Sequence, residues 1–133
     1  MKKFIMAVLG YLLPSFVLGV LWHFVFFKEL YDSFGIYNRK DPIIALGFST
    51  MLIQGVVLAY LYPYFKSLEA RPIIGGLKFG LIFGTFLYSV STMANAAKIE
   101  VVNPISWFAI QAVFHFLQFG ISGILIGLAY KGK

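Results

Sequence analysis

The sequence predicts an all-α fold: a polytopic membrane protein whose four transmembrane helices form an antiparallel bundle. Three observations predict it. Every Asp, Glu, Lys and Arg falls in five short stretches, and the four intervals Phe4–Phe27, Pro42–Phe65, Phe79–Ala97 and Val101–Tyr130 carry no charge. At about 1.5 Å per helical residue, each interval can cross a hydrocarbon core about 30 Å thick. Second, 60% of the 133 residues are hydrophobic and the mean hydropathy is +0.86. A soluble core of this size could not hide that much apolar surface. Third, the charges are distributed unequally between the two sides that four spans create.

Spans at about 4–27, 42–65, 73–97 and 104–130 use up the chain, which implies one domain and no soluble catalytic module. The face bearing both termini holds Lys2, Lys3, Lys66, Arg71, Lys78, Lys131 and Lys133 against Glu69 alone, a net +6. The other face holds Lys28, Arg39, Lys40 and Lys98 against Glu29, Asp32, Asp41 and Glu100, a net zero. Basic residues accumulate on cytoplasmic loops, so the expected location is the cytoplasmic (inner) membrane, multi-pass, with both termini inside. The whole-chain charge of +6 is thereby assigned to the bilayer surface, where anionic lipid favours it, and not to nucleic acid. The chain has no cysteine, which excludes disulfides, thiolate metal sites and thiol catalysis.

The first span follows Met1-Lys2-Lys3. Its apolar run is about twice a signal-peptide core and has no small-x-small cleavage site, so it is expected to be retained. Pro14 lies mid-span and deprives the Gly10 carbonyl of its helical partner, predicting a kink. Trp22, Phe24, Phe26, Phe27 and Tyr31 suit an aromatic belt at the outer interface. The outer connection, Lys28–Asp41, is the longest, and Asp41-Pro42 is a cap-plus-proline start for span two. Tyr60, Tyr62 and Tyr64 mark that span's inner end. The short inner connection makes spans two and three antiparallel neighbours. Lys78, one turn into span three, can snorkel back to the headgroups. A tight turn at Lys98 and Glu100 precedes Asn103-Pro104, a second cap-plus-proline start, with Trp107 one turn on.

Two patterns carry functional signal. Span three holds Gly76, Gly80 and Gly84 at i, i+4, i+8, a face that lets another helix approach closely. Gly120, Gly123 and Gly127 offer the same on span four. Such a helix-packing interface serves the bundle's own packing or homo-oligomerisation. On span four Gln111, His115, Gln118 and Ser122 fall on one polar stripe. Facing lipid would leave the amides unsatisfied, so the stripe must meet other helices, a partner, a cavity or a ligand. Counting depth from the outer ends puts His115 about 17 Å and Gln54 about 18 Å in. Gln54, Tyr88, Thr92, Asn95, Gln111 and His115 could therefore form one cluster in the outer half, as a register-fixing network or a ligand pocket.

His23, beside Trp22, is the second histidine, and two histidines on two spans raise the question of haem b. Their depths differ by roughly 10 Å, which opposes a bis-imidazole site. No acid or thiolate within the spans completes a metal-ligand set, and no intramembrane acid serves proton coupling or a catalytic triad. No enzyme activity and no cofactor are expected.

Leu18-Gly19-Val20-Leu21-Trp22-His23 and the segment from Trp107 to His115, followed by Gly120 and Gly123, resemble an uncharacterised bacterial four-span membrane family (domain-of-unknown-function family 1761). That family has a Gly-x-x-Trp-aromatic segment near the end of its first span and an aromatic-His pair followed by small residues in its last. His23 stands where the family more often has tyrosine. The resemblance implies the four-span architecture, singles out Trp22 and His115, and implies no activity.

Three functions follow as expectations. The first is a non-enzymatic accessory subunit of a membrane complex, or a bundle that self-associates through the glycine face. The second is a binder or carrier of a small amphiphile, a lipid or quinone, held by Trp22, His23, Gln54, Tyr88, Thr92, Asn95, Gln111, His115 and Gln118. The third is a haem b redox subunit.

Overall fold

The computed structural model describes residues 1–37 and 39–132. Among them every regular element is helical, as a lipid environment requires, since only a helix satisfies its backbone within its own segment. In chain order these are α1 (Lys2–Val20), continued by a π-helical turn (Leu21–Phe26), α2 (Lys28–Ser33), α3 (Ile44–Lys66), α4 (Pro72–Tyr88), continued by a second π-helical turn (Ser89–Met93) and α5 (Ala94–Ala96), and α6 (Pro104–Ala129). Four helical rods are long and apolar enough to span a membrane: Lys2–Phe26, Ile44–Lys66, Pro72–Ala96 and Pro104–Ala129.

Of the two helix starts expected from cap-plus-proline pairs, Asn103-Pro104 forms as expected and Asp41-Pro42 does not; Pro72 opens another helix in the same way. Asn103 caps α6 by accepting from the Ser106 N–H at 3.2 Å, and Pro72 and Pro104 occupy first-turn positions where no N–H is needed. At the other start, α3 begins at Ile44 and has no side-chain cap, so Asp41-Pro42 lies ahead of the helix. Helix α1 runs through Pro14 without a break, and its departure from α geometry comes later, at Leu21–Phe26. The outer connection is not all loop, because α2 folds there and Gly35, at φ +75°, turns the chain after it.

The seam between spans three and four is the closest packing in the molecule. A Cβ on Gly80 would stand 2.0 Å from the Phe119 carbonyl oxygen, one on Gly76 2.3 Å from that of Gly123, and one on Gly127 2.1 Å from that of Pro72. Gly84 and Gly123 are similarly closed, at 2.9 Å from Phe119 Cβ and 2.3 Å from the Gly76 oxygen. Gly120 has room, its nearest neighbour being Leu77 Cδ1 at 3.7 Å. The glycine face is filled by the chain's own span four, so it is not a surface open to another copy.

Span four also packs on span one, and span one on span two. One core, in the half nearer the termini, gathers Tyr11, Leu58, Ala59, Tyr62, Phe79, Phe119 and Ile126. A second, at the other end, gathers Trp22, Tyr31, Phe34, Trp107 and Phe114. The expected aromatic belt is therefore divided. Phe24 and Phe26 remain exposed, but Trp22, Tyr31 and Trp107 turn inward because α2 lies over the bundle end and supplies protein to pack against. Span two is held mainly along the half nearer the termini: residues 41–50 are all exposed, with Phe48 meeting Phe16 edge-on at 5.8 Å, and burial begins at Gly55.

Candidate functional site

The stand-off of span two opens a cleft toward the end of the bundle away from the termini. Two cavities of about 390 and 850 Å³ adjoin there, with His23, Phe24, Gly47 and Thr50 in the walls of both. The deeper part is apolar along Phe16, Val20, Phe48 and Met51, and ends on Gln54 and Gln118. The mouth carries Lys28, Arg39, Lys40 and Asp32. Lys28 is paired with Asp32 at 2.5 Å, whereas Arg39 and Lys40 have no ion pair among the described residues.

The cleft floor is a hydrogen-bonded triad. Tyr11 Oη donates to Gln54 Oε1 at 2.6 Å and accepts from Gln118 Nε2 at 3.2 Å, which ties spans one, two and four at one level. Beside it, Ser15 and Ser122 hydroxyls meet at 3.3 Å. Tyr11 is fully buried, so each of these bonds forms away from water, where an unpaired partner would be costly.

His23 forms part of the wall. Its Nδ1 donates to the Gly19 carbonyl at 2.9 Å, since a carbonyl can only accept. The neutral ring then presents Nε2 as an acceptor, and no side chain among the described residues meets it. The π-helical turn sets this position: it inserts an extra residue per turn after Val20, re-aiming Trp22 into the aromatic core and leaving His23 on the cleft.

The nine residues expected to form one site divide into separate groups. Gln54, Gln118 and His23 line the cleft. Trp22 packs behind it against Phe27 and Phe114, with its Nε1 buried. Gln111 belongs to an outer network: Tyr31 Oη donates to Gln111 Oε1 at 3.0 Å, and Tyr37 Oη accepts from Gln111 Nε2 and from Trp107 Nε1, each at 3.4 Å. Burial pushes both phenols above their ordinary pKa, so both hydroxyls keep their protons. His115 faces span three. Its Nδ1 donates to the Gln111 carbonyl at 2.7 Å, and its Nε2 accepts from Ser91 Oγ at 3.1 Å. Asn95 Nδ2 donates to the Ser91 carbonyl at 2.7 Å, and Tyr88 Oη to that of Phe108 at 3.2 Å. Thr92 is fully buried, and its hydroxyl has no partner among the described residues. Equal depth did not place these groups together because Phe114 and the aromatic core stand between the two sides of span four.

The same geometry does not fit a shared haem. Phe114 lies against the His23 ring at 4.7 Å and the His115 ring at 5.7 Å. His23 opens on the cleft, whereas His115 borders a different hollow of about 290 Å³ with Gly84 and Tyr88. No three His, Asp or Glu side chains gather as a metal-ligand set among the described residues. Tyr11, Ser91, Tyr31 and Tyr37 were missed in the sequence. Tyr11 lies four residues before Ser15 on one helical face, and that spacing was the available signal.

Four apolar helices packed as one bundle make this chain a small integral membrane protein. No family model matches it, and neither a curated protein nor a solved structure does.

Proposed function

We propose that this chain is a non-enzymatic protein of the cytoplasmic membrane that binds an amphiphile in the cleft between spans one and two. The observation that carries the reading is the cleft's gradient: free cations at the mouth, aromatic and aliphatic walls, and amides at the floor. An anionic head at Arg39 and Lys40 with an apolar tail along Phe16, Phe48 and Met51 matches that gradient. His23 Nε2 would accept from a donor partway down. Entry is lateral, from the outer leaflet, because residues 41–50 leave that side open.

The test uses Gly47, where an added side chain meets nothing within 4 Å. Gly47→Trp fills the cleft without disturbing helix packing. Native mass spectrometry of gently extracted protein should show a retained amphiphile on the parent chain and its loss from Gly47→Trp. Equal retention by both, or no retained mass on the parent chain after extraction in its own lipids, would refute the reading. A second reading, an accessory subunit, is favoured by the exposed outer half of span two, and a partner copurifying at fixed stoichiometry would distinguish it. Self-association through Gly76, Gly80 and Gly84 is disfavoured because span four fills that face.

A further inference from the structure

The face that bears the termini has a cavity of its own, about 240 Å³, lined by Tyr62, Lys66, Ala70, Pro72, Gly127 and Lys131 with Gly132. Tyr62 lines it and is fully buried, yet its hydroxyl has no hydrogen-bond partner among the described residues. Its ring is fixed against Phe79 and Tyr130, with centroids 5.1 and 5.6 Å away. Glycines clear the space around the hydroxyl: a Cβ on Gly127 would lie 3.0 Å from Tyr62 Oη, and one on Gly75 3.2 Å. A buried, immobilised donor kept free of protein acceptors is an arrangement that calls for an acceptor from outside.

The charge around the cavity specifies that acceptor. Lys66 Nζ donates to the Tyr130 and Gly132 carbonyls, both at 2.9 Å, which leaves one of its three N–H groups available. By binding there it also covers the negative end of α6. The Lys131 side chain makes no hydrogen bond or ion pair among the described residues. The nearest acid, Glu69, is already engaged by Arg71 at 2.9 Å and by Lys78 at 3.1 Å, so its charge is more than balanced. Helix α4 starts at Pro72 on the cavity wall, and its N-terminal end adds positive potential.

We propose that this cavity binds a phosphate-type anion, with Tyr62 Oη, Lys66 Nζ and Lys131 Nζ as donors. A phospholipid headgroup or a free phosphate presents the same oxygens, and the experiment separates them. The site is independent of the outer cleft.

The probes are dihexanoyl phosphatidic acid, dihexanoyl phosphatidylcholine and inorganic phosphate, added to the delipidated full chain in a neutral detergent and read by thermal shift and by saturable binding. Tyr62→Phe removes only an unpartnered hydroxyl, so the ligand-free variant should melt no lower than the parent. Phosphatidic acid should raise the parent's melting temperature, and Tyr62→Phe should bind it about tenfold more weakly, as a lost hydrogen bond to a charged group implies. Lys131→Gln should weaken it as well. Stabilisation by inorganic phosphate would assign the site to the free anion; stabilisation by phosphatidic acid alone would assign it to a lipid head. Absence of saturable binding by either, affinity unchanged in Tyr62→Phe, or equal binding of phosphatidylcholine would overturn the proposal.

Discussion

Tyr130 should be worth most of its hydrogen bond to the stability of the bundle, and Pro63 is the reason. Pro63 lies inside α3 and has no N–H, so the Ala59 carbonyl one turn earlier loses its helical donor. Ala59 is fully buried, and no water reaches that oxygen. Tyr130 Oη donates to it at 2.8 Å from just beyond the end of span four. Tyr130→Phe keeps the ring that packs on Tyr62 and removes only this donor. An orphaned buried acceptor costs about 1–3 kcal/mol in water-soluble proteins, and interhelical bonds in membranes average lower. We therefore expect a loss of about 1–2 kcal/mol in reversible unfolding in mixed micelles. Pro63→Ala supplies a backbone N–H to the same carbonyl, so Tyr130→Phe made in that background should cost only a few tenths of a kcal/mol. Equal losses in both backgrounds would refute the compensation, whatever their size.

Other outcomes follow from the same geometry. Gly80→Ala should destabilise by about 3 kcal/mol or prevent folding, because spans three and four must separate to admit the methyl group. Gly47→Ala, in open space, should be neutral or stabilise by up to about 1 kcal/mol by helix propensity, and a comparable loss at both positions would count against the seam. The Arg71 guanidinium, with Lys78 behind it, holds the Glu69 carboxyl down at about 2, from an ordinary 4.5. A depressed folded pKa gives stability that is full above 4.5 and is lost as pH falls toward 2, so melting temperature should decline through that window. Glu69→Gln should flatten that decline, and an unchanged slope would exclude Glu69 as its source.

The rods were legible because charge is forbidden in a bilayer core and its absence is visible residue by residue. The glycine pattern was legible for a similar reason, since a missing side chain at i, i+4, i+8 has one physical use. The partner of that face was not legible, because glycines on two spans complement each other as well as they would a second copy. The polar cluster failed differently. Depth fixes one coordinate of a side chain, and Gln54 and Tyr88 share a depth while facing opposite sides of span four. Azimuth depends on helix neighbours and on the π-helical turns at Leu21–Phe26 and Ser89–Met93, which rotate the residues beyond them. Helix α2 escaped notice because six residues, three of them charged, show no helical period that a loop would lack.

Tyr11 decides how deep the outer cleft goes. Among the described residues, span one and span two have no polar link above the level at which Tyr11 Oη joins Gln54 to Gln118, and residues 41–50 above it are exposed. A rod held at one end and free at the other opens from its last fixed point, so the triad acts as the pivot. Tyr11→Phe leaves the Gln54 oxygen and the Gln118 amide without their shared partner, at a cost of about 1–2 kcal/mol. The amides then solvate best by drawing water down the cleft, which moves the pivot toward Gly55, where span two first becomes buried. Spin labels at Leu13 and Ile53, both exposed, would read this as a longer and broader distance between the two spans. An unchanged distance with the same loss of stability would mean that packing around Gly55, whose Cβ would sit 3.2 Å from the Tyr11 ring, sets the pivot, and that the triad only satisfies its own members.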